Sequence, residues 1–270
     1  ADLMHLGLED VGLHAAPLTH GAGFHAIALT WKSSKQILLY SNRFDPENFC
    51  ETVEKMGVTN TWLVPTQIKM LLNYKDLEKW DLSSLKWVTY GGAPMYVEDL
   101  KQAIRRIGPV FVQLYGQGET PMTGTYLRPQ EHILEGAGSQ RLASCGHVRS
   151  GIELRILDDQ GQALPPGEVG EICARSYGVM IGYNDNPGAT RATIDPDGWL
   201  HTGDLGTMDP QGFIRVTGRV KEMIIRGGEN LFPAEIESVL VEHSQIRQVA
   251  VVGLPDEKWG EIVAAFMLSE

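Results

Sequence analysis

The period of the apolar positions changes several times along the chain. After Asp45-Pro46-Glu47, an acidic N-cap with proline in the first turn, Phe49, Val53 and Met56 recur at helical spacing until Gly57. Residues 61–64 are a short apolar block, which predicts a buried strand stopped by Pro65. Ile68, Leu71 and Leu72 predict a second helix, and 85–90 a strand running into Gly91 and Gly92. Val97, Leu100, Ile104 and Ile107 share one helical face before Gly108, and 110–114 reads as a further strand. Strands alternating with helices predict an α/β fold with a doubly wound, mostly parallel sheet.

Beyond Pro121 the texture is different. Residues 152–157 alternate, 158–161 form a turn, and 168–173 follow as a strand. Gly198, Gly203, Gly206 and Gly212 punctuate what read as further short strands, so an antiparallel, β-rich subdomain is expected. From Gly218 the mixed pattern returns. Pro233 opens a helix expected to turn Ile236, Val239 and Leu240 inward, with Glu235 and Glu237 near its positive end, and a strand follows at 249–252. The division expected is 1–122 for part of a large α/β nucleotide-binding core, 123–218 for the β-rich subdomain, and 219–270 for a hinge and the start of a small α+β lid. The opening Ala1-Asp-Leu-Met-His5 reads as mid-helix and 262–268 as a strand cut short, so a piece of a longer polypeptide is expected.

Charge and cysteine content narrow the chemistry. A net charge of −11 disfavours a sequence-independent grip on nucleic acid, or an anionic membrane as main partner. ATP remains compatible, because local cations and backbone N–H groups neutralise phosphates. Cys50, Cys145 and Cys173 lie far apart, in neither disulfide nor zinc spacing, and read as reduced thiols of a cytoplasmic protein. No apolar run has transmembrane length. A peripheral membrane position and a homo-oligomer are both left open.

Four constellations carry candidate chemistry. Gly21-Ala-Gly23-Phe-His-Ala26, with Asp45 downstream, has dinucleotide-binding spacing, but Pro17 falls where the preceding central strand should run. Two other glycine-rich segments close adjacent expected strands. They are Tyr90-Gly91-Gly92-Ala93-Pro94 and Tyr115-Gly116-Gln117-Gly118-Glu119-Thr120. Each alone could be a tight turn; together, at the carboxyl ends of parallel strands, they point to a nucleotide site, with Glu119 as an oxygen donor for Mg²⁺. In Trp199-Leu-His-Thr-Gly-Asp204, the carboxylate can accept both hydroxyls of a ribose or merely cap a turn. The charged segment from Gly218 to Asn230, with Arg219, Lys221, Gly227 and Gly228, reads otherwise as a solvated linker.

In this order and at these separations, the elements resemble the adenylate-forming superfamily of acyl- and aryl-CoA synthetases, luciferases and peptide-synthetase adenylation domains, over essentially the whole chain. Pro17-Leu-Thr-His20-Gly-Ala-Gly23, Gly91 to Pro94, Tyr115 to Glu119, Gly198 to Gly206, and Gly218 to Glu237 carry the likeness. Val251-Val-Gly-Leu-Pro-Asp-Glu-Lys-Trp-Gly260 is similar to the medium- and long-chain branch. The resemblance implies adenine contacts from the loop Gly91, Gly92, Ala93 and Pro94 and from Tyr115 with Gly116, and nucleotide binding by Gln117 and Gly118. It implies Mg²⁺ at Glu119, ribose at Asp204 and Arg219, and the acyl carboxylate at His20. Lys221 would be the hinge of a mobile lid, and Gly227 and Gly228 would line the channel for the pantetheine arm of coenzyme A. The substrates would be a small-molecule carboxylate, ATP (leaving as AMP) and coenzyme A.

Two departures bear on activity. Gly118 stands where most of the family has a threonine that contacts the α-phosphate, so Thr120 is the substitute hydroxyl. The phosphate loop ending Pro-Lys-Gly and the late Gly-Lys do not occur in these 270 residues, and Lys32-Ser-Ser-Lys35 is no replacement. The chain by itself is therefore expected to be inactive. An aryl- or carrier-protein-directed adenylating enzyme, or a non-catalytic nucleotide-binding remnant, are the alternatives.

Overall fold

A computed structural model describes residues 6–39, 43–243 and 245–269. Residues 1–5, read above as mid-helix, lie outside the described residues. The chain divides into two compact units, Ala1–Arg149 and Ser150–Glu270.

In the first unit, β1 (Val11–His14), β2 (Lys35–Leu38), β3 (Asn60–Leu63), β4 (Trp87–Gly91) and β5 (Phe111–Gln117) are parallel. With the antiparallel β6 (Thr120–Leu127) and β7 (His147–Val148) they form one sheet, in the order β2-β1-β3-β4-β5-β6-β7. The connecting helices are α1 (Ala22–Trp31), α2 (Pro46–Met56), α3 (Pro65–Leu72) and α4 (Val97–Ile107). The step from β1 to β2 moves one way along the sheet and every later step moves the other way. Right-handed crossovers therefore send α1 to one face and the remaining helices to the opposite face. The two cores match this division. Leu29 of α1 packs with Trp62, Val112 and Leu114. Phe49, Val53, Ile68, Leu71, Leu100 and Ile104 pack with Leu13, Leu63, Tyr90 and Phe111.

Local chemistry accounts for most of these boundaries. Asp45 accepts the N–H of Glu47 at 3.0 Å, and Gly57 ends α2 at φ 61°. The Gln67 side chain accepts the N–H of Val64 and donates to the carbonyl of Ala15, which ties the start of α3 to the segment after β1. α1 is different: it has no side-chain cap, and Phe24, Ile27 and Trp31 face solvent.

In the second unit, β8 (Glu153–Leu157), β9 (Gly170–Arg175), β10 (Leu200–Met208) and β11 (Ile214–Arg219) form an antiparallel sheet, and α5 (Pro187–Thr193) lies between β9 and β10 in the chain. A second sheet, ordered β13-β12-β15-β14, contains β12 (Ile224–Arg226), β13 (Glu229–Leu231), β14 (Ile246–Asp256) and β15 (Gly260–Ser269), with α6 (Pro233–Leu240) beside it. Among the described residues no helix is long and apolar enough to cross a membrane.

Several expectations need correction. The glycines at 203 and 206 do not separate short strands; both lie inside the nine-residue β10, which absorbs them as bulges. β6 runs across 122/123, where a boundary was expected. Val239 is 66% exposed, and Glu237 turns inward instead, accepting the N–H of Val251 at 2.8 Å. Position 237 lies one turn from 233 and shares a face with 236 and 240, so the carboxylate reaches an otherwise unpaired strand amide.

Candidate functional site

Because β1, β3, β4 and β5 are parallel neighbours, their carboxyl ends share one edge of the sheet. The strand order reverses between β1 and β3, and crevices at such switch points are where open α/β sheets take ligands. His20 lies in the connection between β1 and α1, exposed, in a tight turn whose N–H bonds Pro17 O at 3.0 Å. β1 itself stops at His14, so Pro17 lies in the following loop and never interrupts the strand, contrary to the objection raised against the dinucleotide reading.

The glycines that end and follow β4 are required by geometry. A Cβ on Gly91 would stand 2.2 Å from the carbonyl oxygen of Leu114, its ladder partner on β5. Gly92 has φ 80°, and a Cβ there would sit 3.8 Å from His20 Cε1. The fold thus brings His20 to Gly92 across 72 positions of sequence. Gly92, Ala93 and Pro94 are exposed beside it.

The segment from Tyr115 does not lead into a helix. β5 continues through Tyr115, Gly116 and Gln117, and Gly118 with Glu119 makes the turn into β6, where Gln117 pairs with Thr120. Glu119 is half-buried at the turn, whereas Thr120 is 1% exposed. A threonine buried in the ladder offers no surface hydroxyl, which removes the support for Thr120 as the phosphate contact.

A buried polar pair lies beneath this edge. His132 Nδ1 is 2.8 Å from Arg128 O, and a carbonyl only accepts, so Nδ1 carries the proton. Nε2 then accepts the Tyr90 hydroxyl at 3.0 Å. Burial lowers the His132 pKa to about 4 and raises that of Tyr90, so both stay neutral.

In the second unit, Asp204 and Arg219 are ladder partners on β10 and β11, and Arg219 Nε donates to Asp204 Oδ1 at 3.0 Å. The Asp204 side chain is 14% exposed and that of Arg219 57%. Lys221 is exposed in the single 3₁₀ turn Val220–Glu222 that links the two sheets of this unit. Gly227 and Gly228, at φ 60° and 90°, form the turn of the β12–β13 hairpin rather than a linker. Trp259 was not singled out as a site residue, and its only signal was its place in the Asp-Glu-Lys-Trp-Gly motif. Its ring lies where a Cβ on Gly227 would approach to 2.7 Å, and its carbonyl accepts the Gly227 N–H. The cations of Arg226 and Lys258 each sit 4.7 Å from the ring centroid.

Comparison with known proteins matches residues 2–184 to the family described as AMP-binding enzyme, and residues 235–270 to the AMP-binding enzyme C-terminal domain. The medium/long-chain-fatty-acid–CoA ligase FadD8 of Mycobacterium tuberculosis is 42% identical over 95% of this chain and 43% of its own length. The fatty acid–[acyl-carrier-protein] ligase ScoC of Streptomyces coeruleorubidus is 34% identical over 92% of this chain and 48% of its own. Among solved structures, the o-succinylbenzoate CoA synthetase MenE of Bacillus subtilis, in complex with its acyl-adenylate intermediate, superposes with a TM-score of 0.87. It is 30% identical and is covered to 52% by 99% of this chain. The chain thus spans about half the length of the relatives it matches. Two glycine segments and His20 at one sheet edge, the paired Asp204 and Arg219, and a match through 183 consecutive residues agree, and the chain belongs to the AMP-binding enzyme family.

Proposed function

We propose that this chain is part of an AMP-forming acid–thiol ligase that activates a fatty or other organic carboxylate with ATP and passes the acyl group to coenzyme A. The observation that carries the proposal is the meeting of His20 with the left-handed Gly92 at the switch point of the parallel sheet. In the first step a carboxylate oxygen attacks the α-phosphorus of ATP, forming the acyl–phosphate bond and releasing pyrophosphate. In the second the thiol of coenzyme A, giving up its proton to solvent, attacks the acyl carbon, and AMP leaves with the bonding pair. No protein nucleophile is needed, so the residues act by positioning and by neutralising charge.

Gly91 to Pro94 and Tyr115 with Gly116 would contact adenine, and Gln117 and Gly118 would line the nucleotide. Asp204 would bind the ribose hydroxyls with Arg219 beside it, and His20 the acyl carboxylate. The half-buried carboxylate of Glu119 suits Mg²⁺, which binds through one or two carboxylates together with substrate phosphates. The cation would supply charge neutralisation there. Residues 219–270 would form the hinge and lid, with Lys221 as pivot and Gly227 and Gly228 along the pantetheine path. The similarity to a carrier-protein ligase gives the second reading, in which a carrier-borne thiol replaces coenzyme A.

The test is Mg²⁺-dependent pyrophosphate release by the complete polypeptide against a panel of carboxylates, followed by transfer to coenzyme A or to a holo-carrier protein. Release followed by acyl-CoA formation is expected. No release with any carboxylate, from protein that still binds AMP, would leave only the nucleotide-binding remnant. The 270-residue chain alone should form no acyl-CoA.

A further inference from the structure

β9 and β10 fall out of step where Asp204 is presented. His201 pairs with Cys173 and Leu205 with Glu171, so β10 takes four residue steps against two on β9, and residues 202–204 arch off the β9 ladder while Asp204 stays paired with Arg219 on β11. An arch of this kind loses its own ladder bonds, and side chains take their place. Thr202 Oγ1 donates to the carbonyl of Ile172 at 2.6 Å and accepts the N–H of Asp204 at 3.1 Å. Gly203 takes φ 71°, open to glycine at little cost.

Both oxygens of one carboxylate secure the rest. Glu171 Oε1 accepts the N–H of Gly203 at 2.9 Å, and Oε2 accepts Nδ1 of His201 at 2.8 Å. His201 Nε2 lies 3.9 Å from Asp195 Oδ2, while Asp195 Oδ1 caps the N–H of Trp199 at 2.8 Å. The residue before the arch and the residue at its crown are therefore held by the same side chain from the neighbouring strand.

We infer that Glu171 is a positioning residue, which sets the arch of β10 so that Asp204 meets the nucleotide. This rests on the ribose role proposed for Asp204. Glu171, Cys173 and His201 also form the one cluster of potential metal ligands among the described residues. They are, however, already bonded to one another, with Cys173 Sγ 3.5 Å from the same Nδ1. Burial, with Glu171 and Asp195 nearby, also pushes the Cys173 thiol up to about 12, away from the thiolate form that metals take.

The experiment uses the complete polypeptide with Glu171→Ala, Glu171→Gln and Asp204→Ala, alone and combined. AMP affinity is measured by calorimetry, the carboxylate KM by pyrophosphate release, and amide hydrogen exchange over residues 199–206. Glu171→Ala should weaken AMP about tenfold and accelerate exchange in the arch, with the carboxylate KM within twofold. Glu171→Gln keeps an oxygen for the Gly203 N–H and should recover AMP affinity to within threefold. In the Asp204→Ala background, Glu171→Ala should cost less than twofold. Unchanged exchange in Glu171→Ala, or an equal loss of AMP affinity in both backgrounds, would overturn the assignment. So would stoichiometric Zn²⁺ uptake that Cys173→Ser abolishes. If Asp204→Ala alone leaves AMP affinity unchanged, the ribose reading fails, and the exchange data still decide whether Glu171 holds the arch.

Discussion

His132 shows how one side chain couples the site's foundation to pH. Its folded pKa of about 4 lies below the ordinary 6.5 because the ring is buried, so below about 6.5 the unfolded chain binds a proton that the folded chain refuses. The stability this neutral ring contributes is complete above 6.5 and falls away as pH drops towards 4. The full loss is on the order of 3 kcal/mol, from about 1.4 kcal/mol per pKa unit. Chemical denaturation at pH 7 and pH 5 should show this slope in the parent and a flatter one in His132→Asn; equal slopes would show that another group titrates there. At Asp204 the outcome is read in ligand affinity. Asp204→Ala in the complete polypeptide should weaken AMP by about a hundredfold, the loss of charged hydrogen bonds worth on the order of 3 kcal/mol. A Kd within twofold of the parent would exclude the ribose role.

For the secondary-structure elements, the glycine after Tyr90 is a statement about strand spacing. Gly91 is buried at the end of β4, and a methyl group there meets backbone, the Leu114 carbonyl, which cannot rotate aside. Gly91→Ala should push β4 and β5 apart at the edge that carries Gly92 and Tyr115. An overpacking cost of about 1–3 kcal/mol is expected, several degrees in Tm. Gly118→Ala is the control, since nothing lies within 4 Å of a Cβ there and its φ is not left-handed. Equal melting temperatures for the two variants would show that the β4–β5 ladder yields more readily than a parallel pair should.

For the whole molecule, the decisive segment is the short turn Val220–Glu222. It is the covalent junction between the two sheets of the second unit, across which α6 also packs against β11. Arg215 and Glu235 pair at 4.0 Å on the surface, and a Cβ on Gly218 would only graze the Phe232 ring at 3.7 Å. An exposed pair contributes about 0–1 kcal/mol, so this ion pair would resist a swing about Lys221 only weakly. Proline at 221 would fix φ and delete the N–H. In the complete enzyme, Lys221→Pro should keep pyrophosphate exchange and lose most transfer from preformed acyl-AMP to coenzyme A, whereas Lys221→Ala should be mild. Equal loss of both half-reactions in a folded proline variant would make the turn a passive linker.

The alternating elements between Asp45 and Gln117 were legible because their signals are local: proline at N1, glycine at the helix ends, apolar residues at one period. The candidate site residues were legible as motifs for the same reason, each a short run with fixed internal spacing. α1 was not, because Phe24, Ile27, Leu29 and Trp31 are apolar all round and show no period. Nor was the inward turn of Glu237, since only the position of β14 gives its carboxylate a partner. The bulges that make β10 one strand follow from its pairing with β9 and β11, and the burial of Thr120 follows from β6 doubling back on β5. Sequence alone determined which segments could be helices, strands and glycine turns, and which residues are candidates for the chemistry. Crossover direction and strand register, which depend on partners tens of residues away, decided that His20 meets Gly92 and that Glu171 lies under the arch of Asp204.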